Sequence, residues 1–388
     1  PRVLRQLERA GRLGEGRPLY DADKEGDRRL RYGVKEKVGA GEQHQTVWLV
    51  DWANPEANDF AIAEEVTVAG ENTKRPDLVL YVNGIALGVI ELKRSTVSIG
   101  EGIRQNLDNQ KQDFIRNFFT TQQLVMAGND SQGVRYGTIE TPEKYYLEWK
   151  EAGITSQGNL LDQHLTQLCD KGRFLELIHD FIVFDSGAKK TCRHNQYFGI
   201  TAAKGFIARH EGGIIWHTQG SGKSLTMVWL AKWIRENVPD SRVLIITDRT
   251  ELDEQIEKVF AGVEEEILRT KSGADLVRSL DEAQPWLLCS LVHKFGRHTE
   301  DEETGLDGDE FIDELKANLP ADFAPKGKLF VFVDECHRTQ SGKLHGAMKS
   351  ILPESLFIGF TGTPLMKKDK KKSVEVFGPY IHTYKFDE

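Results

Sequence analysis

The chain has 388 residues, 39% hydrophobic and 29% charged, so it holds enough apolar material for two or three cores and too much for one ordinary domain. A formal net charge of -9 excludes a protein that attracts nucleic acid by its overall field, and such a partner would have to be held by local basic patches. The four cysteines (Cys169, Cys192, Cys289, Cys336) are scattered without a C-x-x-C pair, which argues against disulfides or a zinc module and fits a reducing cytosol.

There is no signal-peptide-like apolar core and no apolar run of membrane-spanning length, so the chain is expected to be cytoplasmic. Because the first residue is Pro and the last motif lies near the C-terminus, the sequence reads as a fragment of a longer protein. Residues 1 to about 45 are rich in Arg, Gly and acids and read as a loosely packed leading segment with one helix at best. Phe60 to Val68 is a predicted strand following the turn Asn54-Pro55-Glu56. Two β-rich runs then flank Asn83-Gly84, from Arg75-Pro76-Asp77 to Ile85–Lys93, which is a hairpin signal.

Glu91 and Lys93 are two apart and share one face of a strand, with Leu92 on the other. A plain two-residue loop would pair Val82 with Ile85 and place Asp77 opposite Ile90, on the wrong face. The sequence therefore predicts a three-residue loop, or an equivalent bulge, that brings Asp77 opposite Glu91. Two carboxylates so placed can hold a divalent metal such as Mg²⁺, lower the pKa of its water and neutralise a phosphodiester, while Lys93 orients the nucleophile or stabilises developing charge. For an isolated E-x-K a solvated, salt-bridged strand edge is the commoner outcome. Glu64 or Glu65 reads as a solvated charge before it reads as a further ligand. The arrangement Pro76-Asp77 with Glu91-Leu92-Lys93 resembles the PD-(D/E)-x-K nucleases.

Gly100 to Phe119 reads as one helix with Ile103, Leu107, Phe114, Ile115 and Phe118 on its apolar side. The RecB-like branch of those nucleases carries a Q-x-x-x-Y motif on this helix. Gln110 and Phe114 match its spacing, with Phe in place of Tyr, and Gln110 is a candidate for contacting a DNA phosphate or a metal-bound water. Strands at 124–127 and 134–139 close a first domain over residues 1–150. Two helices between Leu160 and Phe184 form an expected connector, 151–188, packed on a second domain at 189–388.

That second domain centres on Gly213–Ser224 (GIIWHTQGSGKS), a buried strand, a small-residue turn and a helix start. Such a turn aims backbone N–H groups at a polyphosphate at the positive end of a helix dipole. Thr218, Gly220, Ser221 and Gly222 would line that concavity, Lys223 would reach the terminal phosphates of ATP, and Ser224 would ligate Mg²⁺. His217 stands where the full G-x-x-x-x-G-K-S pattern has its first Gly. Gln196, one strand upstream, is a candidate for reading the adenine edge.

Downstream, the apolar run Leu329–Val333 ends in Asp334-Glu335. Asp334 is expected to hold Mg²⁺ through water opposite Ser224, and Glu335 to polarise the water that attacks the γ-phosphate. Arg249, Lys294, Thr361 and Thr363 sit at predicted strand ends and are weak candidates for DNA contacts. His217, His293 and His337 are not spaced like zinc ligands and read as hydrogen-bonding residues. An acidic loop at Glu300–Asp309 and a lysine cluster at Lys367–Lys372 complete the second half.

Read in order, GSGKS, TDRTELDEQI, SLVHKF, DECH and TGTP resemble motifs I, Ia, Ib, II and III of superfamily 2 helicases and translocases. With the E-L-K hairpin upstream, the chain is similar over nearly its full length to the N-terminal half of the restriction (R) subunit of type I restriction-modification enzymes. The expected fold is α/β: a restriction-endonuclease-like mixed sheet followed by a RecA-like parallel-sheet P-loop domain. The resemblance implies a bacterial protein that works with methyltransferase and specificity subunits, translocates double-stranded DNA with ATP and cuts far from the recognition site. It also implies a second motor lobe beyond residue 388, so this chain alone should bind ATP, hydrolyse it poorly and pump no DNA. A helicase-nuclease of DNA repair or of another restriction type, and an ATP-gated DNA clamp without nuclease activity, remain open on the residues.

Overall fold

In the computed structural model the described residues are 2–14, 16–37, 43–151, 159–247, 250–291, 312–313, 315–321, 323–336, 346, 348–363, 374–375 and 377–385. They form two compact units, Pro1–His194 and Asn195–Glu388. Arg249, His293, Lys294, His337, Glu300–Asp309 and Lys367–Lys372 lie outside the described residues.

The first unit opens with α1 (Arg2–Ala10), α2 (Leu19–Tyr32) and a hairpin of β1 (Val34–Lys37) and β2 (His44–Val47). This corrects the expectation of a loose leading segment. Leu19, Ala22 and Leu30 are fully buried, and Leu19 packs with Val89, Phe119 and Val125 of the main core. Composition hid this because the polar residues cover the outer faces.

A six-stranded mixed sheet follows: β3 (Phe60–Glu64), β4 (Leu78–Val82), β5 (Ile85–Leu92), β6 (Leu124–Asn129), β7 (Gly133–Gly137) and β8 (Leu147–Glu148), in that spatial order. Only β5 and β6 run parallel, so the chain must cross over between them, and it does so through α3 (Ile99–Asn109). The predicted helix to Phe119 stops ten residues early. It ends at Asn109, and a separate 3-10 turn spans Arg116–Thr120.

The helices α4 (Leu160–Leu168) and α5 (Lys171–Asp180) are capped by Asn159 and Asp170, whose side chains accept from Asp162 N and Arg173 N. Each such cap contributes about 1 kcal/mol. His164 Nδ1 on α4 accepts from Val134 N at 3.0 Å, and Phe174 on α5 lies against Gly88 of β5, so both cover the first unit's sheet. A short hairpin, β9 (Val183–Asp185) and β10 (Ala188–Lys190), ends the unit. There Lys189 is buried with its Nζ 2.7 Å from Asp23 Oδ2 and donating to Gln122 O and Gln123 Oε1.

The second unit comprises α6 (His194–Ala208), β11 (Gly213–His217), α7 (Lys223–Asn237), β12 (Ser241–Thr247), α8 (Thr250–Gly262), β13 (Leu268–Arg269), α9 (Gly273–Asp281), β14 (Leu287–Leu291), β15 (Lys328–Val333), β16 (Leu356–Thr361) and β17 (Tyr380–Tyr384). The strands form one seven-stranded sheet ordered β13-β14-β12-β15-β16-β11-β17, and every pairing is parallel. Runs such as Leu244–Ile246 and Val331–Val333 are apolar on both faces because both faces are covered. In a parallel sheet all carboxyl ends emerge on one edge, so His217, Asp334 and Thr361 are brought to the same rim by topology alone. Among the described residues no helix is long and apolar enough to cross a membrane.

Candidate functional site

In the first unit the hairpin turn has two residues, Asn83 and Gly84, both with positive φ (51° and 79°). Asn83 tolerates that conformation because its side chain is fully engaged, donating to Leu49 O and Asn58 Oδ1 and accepting from Asp59 N. Val82 therefore pairs with Ile85, the register that on its own would misplace Asp77. The register then slips: Tyr81 faces Ala86 but Leu80 faces Gly88, so Leu87 is an extra residue on β5. Leu78 consequently faces Ile90, and one step further Asp77 comes opposite Glu91. The equivalent bulge named from the sequence is what the hairpin uses, in place of the longer loop.

Glu91 is fully buried at the centre of the sheet. Its pKa is pushed up to about 8, first by burial and then by the charge of Asp77 and the hydrogen bond between the two carboxyls, against the opposing pull of Lys93 and Lys74. Asp77 Oδ2 accepts from Leu92 N at 2.7 Å, which fixes its side chain on the end of β5.

Helix α3 approaches this strand closely at Gly102, where a Cβ would sit 3.0 Å from Ala127 Cβ and 3.3 Å from Glu91 O. That approach lets Gln105 bridge the site: its Nε2 donates to Glu91 Oε2 at 2.8 Å, and its Oε1 accepts from Lys93 Nζ at 2.6 Å. Asn109, one turn on, lies 3.4 Å from Glu91 Oε1. Asp77, Glu91 and Lys93 are thus brought together, with Gln105 as the residue that sequence reasoning passed over. The signal was present in Gly102, Gln105 and Asn109, a small residue followed by two amides four apart on one helical face.

Gln110, the glutamine chosen from the Q-x-x-x-Y spacing, is buried. Its Nε2 donates to Asn106 O and its Oε1 accepts from Glu140 N, so its amide braces the helix end and is not presented to DNA. Phe114 stacks under Lys74, with Nζ 4.2 Å from the ring centroid. Glu64 and Glu65 are exposed, Glu65 in an ion pair with Arg75, as the solvated reading had it. No further His, Cys, Asp or Glu completes a three-residue metal cluster among the described residues. Two adjacent hard-oxygen donors still suit Mg²⁺, which is commonly held by one or two carboxylates together with water and substrate phosphate. At neutral pH the crowded pair requires either a shared proton or a cation.

In the second unit the turn after β11 has Gly220 and Gly222 at φ 81° and 87°, the left-handed region that a side chain disfavours. Gly222 also caps α7, which begins at Lys223. Lys223 Nζ lies 3.8 Å from Glu335 Oε1, so the end of β15 reaches the loop's lysine. Glu335 has φ 47°, and its N–H donates to the Asp334 side chain, which ties the two acids into one turn. A Cβ on Gly362 would lie 2.7 Å from Lys223 Nζ, which places the turn after β16 against the same lysine.

Ser221 Oγ is buried without a hydrogen-bond partner among the described residues. Thr218 and Ser224 are half-buried on either side of this loop. Gln196 Nε2 donates to Gly222 O at 2.9 Å, so its amide grips the loop. Thr361 is fully buried and closes the β16 turn on Thr363, whose N–H donates to Thr361 Oγ1, while Thr363 itself is exposed. His217 is buried, with its Nε2 2.9 Å from His382 Nδ1.

The family profile described as SWI2/SNF2 ATPase matches residues 195–388, which is this parallel-sheet unit with its loop and acids. The chain belongs to the SWI2/SNF2 ATPase family. A second profile, type I restriction enzyme R protein N terminus, matches residues 2–144 and so covers the hairpin site. The chain is 27% identical over 399 residues to a type I restriction enzyme endonuclease subunit of Haemophilus influenzae, covering 92% of this chain and 36% of that one. It is 25% identical over 337 residues to a type I restriction enzyme endonuclease subunit of Staphylococcus saprophyticus, covering 84% and 34%. The chain thus spans about a third of the length of these relatives. Among solved structures it is similar to the UvsW helicase of bacteriophage T4, with 17% identity, 54% of this chain, 67% of that chain and a TM-score of 0.38.

Proposed function

We propose that this SWI2/SNF2 ATPase chain is the nuclease-and-first-motor-lobe portion of a type I restriction endonuclease subunit. In this reading it acts on double-stranded DNA alongside methyltransferase and specificity subunits, drives translocation with ATP and cleaves with Mg²⁺. The observation that carries the reading is the convergence of Asp77, Glu91, Lys93 and Gln105 on one buried strand end, within the residues matched by the R-protein profile.

Bound there, Mg²⁺ would neutralise the phosphodiester and lower the pKa of its water. Asp77 and Glu91 would hold it. Gln105 keeps the Glu91 carboxylate turned toward Asp77 and holds Lys93 beside it. Lys93 supplies the positive charge that meets the developing charge on the scissile phosphate.

In the motor unit Thr218, Gly220, Ser221, Gly222 and Lys223 would cradle the phosphates of ATP, with Ser224 and Asp334 holding its Mg²⁺. Glu335 would orient the attacking water. Its approach to Lys223 supports this, since that lysine and that acid must serve the same phosphate. Thr361 and Thr363, on the neighbouring turn, would relay the state of the loop to a DNA-facing surface.

The test is cleavage of unmodified plasmid by the assembled restriction complex with ATP and Mg²⁺. Asp77→Ala is expected to abolish cutting while leaving ATP hydrolysis in place, and Lys223→Ala to abolish both. Undiminished cutting by the Asp77→Ala complex would leave the clamp without nuclease activity as the better account.

A further inference from the structure

His217 stands at the loop position where the common phosphate-binding pattern has a glycine, and it is fully buried. Its imidazole fits because α6 passes it at Gly199, where a Cβ would sit 2.9 Å from His217 Cε1. Beside it lie the rings of His382, at 5.1 Å between centroids, and Tyr384, at 6.1 Å, both on β17.

Three contacts fix where the protons are. Asn195 Nδ2 is 3.4 Å from Ser221 O and 3.3 Å from His217 Nδ1. A carbonyl oxygen only accepts, so the NH₂ end of Asn195 faces both groups and His217 Nδ1 accepts. The ring proton is then on Nε2, which donates to His382 Nδ1 at 2.9 Å. The result is an oriented chain: His217 donates to His382, and Asn195 donates to both His217 and the Ser221 carbonyl.

The chain has a consequence for the ligand. Across a trans peptide the C=O of one residue and the N–H of the next point in opposite directions. Holding Ser221 O toward Asn195 therefore aims the Gly222 N–H the other way, toward the concavity. Gln196 does the same for the next peptide by donating to Gly222 O at 2.9 Å, which aims the Lys223 N–H.

We infer that His217 is a positioning residue for the polyphosphate of a nucleoside triphosphate: with His382 fixing its tautomer, it holds Asn195 against the Ser221 carbonyl and so presents the Gly222 N–H to the phosphates. This rests on the nucleotide-binding reading of the loop.

The experiment is titration of the purified chain with a fluorescent ATP analogue and, in parallel, with the matching adenosine analogue, which lacks phosphates. His217→Ala is expected to weaken binding of the triphosphate about tenfold, the size of one well-made hydrogen bond to a charged group, and to leave adenosine binding unchanged. His217→Gln keeps one acceptor and one donor and should restore most of the affinity. His382→Ala should cost several-fold, and the His217→Ala/His382→Ala pair no more than His217→Ala alone, because both act through one chain.

Wild-type affinity in His217→Ala, equal losses for ATP and adenosine analogues, or additive losses in the double variant would each overturn the inference. Should His217→Ala fail to fold, His382→Ala and His217→Gln decide by the same comparison. Lys223→Ala separates the two readings. If it binds triphosphate as wild type does, the nucleotide reading falls. If it loses binding while His217→Ala and His382→Ala do not, only the relay falls.

Discussion

Glu91→Gln should make the metal-free protein more stable and the nuclease inactive. In the native chain Glu91 is fully buried beside Asp77, and its pKa is carried from 4.5 to about 8. Because the folded value exceeds the unfolded one, this carboxyl's contribution to stability is fully present below about pH 4.5 and is lost as the pH rises through about 8. At about 1.36 kcal/mol per tenfold change in proton affinity, and discounted for relaxation around the site, its burial costs about 2 kcal/mol at neutral pH without metal. Glutamine keeps the shape and an acceptor for Gln105 and offers its NH₂ to Asp77, so most of that cost should disappear. For a unit of this size the gain is a rise in melting temperature of about 4–8 °C. The assay is thermal unfolding of both proteins in chelator at pH 7.5 and again at pH 4.5, where the difference should shrink. With Mg²⁺ added, the wild type should gain stability and Glu91→Gln should gain less. A Glu91→Gln variant that melts below the wild type in chelator at pH 7.5 would refute the reasoning, because it would mean that the carboxylate is a net stabiliser.

Other outcomes follow from the same geometry. Gln105→Ala frees both Glu91 and Lys93 and should lower plasmid cleavage by the complex at least about tenfold with ATP hydrolysis unchanged, since its two hydrogen bonds lie only at the hairpin site. Deleting Val79 from β4, with the two-residue turn and the bulge at Leu87 kept, moves Asp77 opposite Ile90 and should abolish cleavage, which plasmid assays and circular dichroism would read together. His164 accepts from Val134 N, and burial lowers its pKa below 6.5. The stability it gives is present above about pH 6.5 and lost as the pH falls through the lowered folded value. His164→Gln should therefore flatten the acid limb of the melting-temperature profile between pH 7.5 and pH 5.

What the sequence made legible was whatever periodicity and topology force. Runs apolar on both faces, such as Val331–Val333, permit only a parallel sheet with covered faces, and that sheet carries Asp334 and Thr361 to the rim where the Gly220–Lys223 loop lies. The hairpin was legible to within one residue, because the facing of Asp77 and Glu91 demands an odd residue somewhere. The alternation does not say whether the turn or the strand supplies it, and Asn83's three hydrogen bonds favour the tight turn. Gln105 was missed because a glutamine's role depends on how closely its helix approaches the strand. That distance is set by Gly102 against Ala127, a contact between segments remote in sequence. Gln110 misled for the same reason: motif spacing places it on the helix but not on a face. The leading helices were missed because a few buried leucines among many charges are too sparse to register in composition.

The most direct measurement is calorimetric titration of Mn²⁺, as a probe for Mg²⁺, into the metal-free chain without nucleotide, comparing wild type with Asp77→Asn. Asparagine keeps an acceptor for Leu92 N but removes one of the two facing charges. A binding event present in the wild type and lost in Asp77→Asn is the predicted result. Identical titrations for the two proteins would contradict a cation held between Asp77 and Glu91.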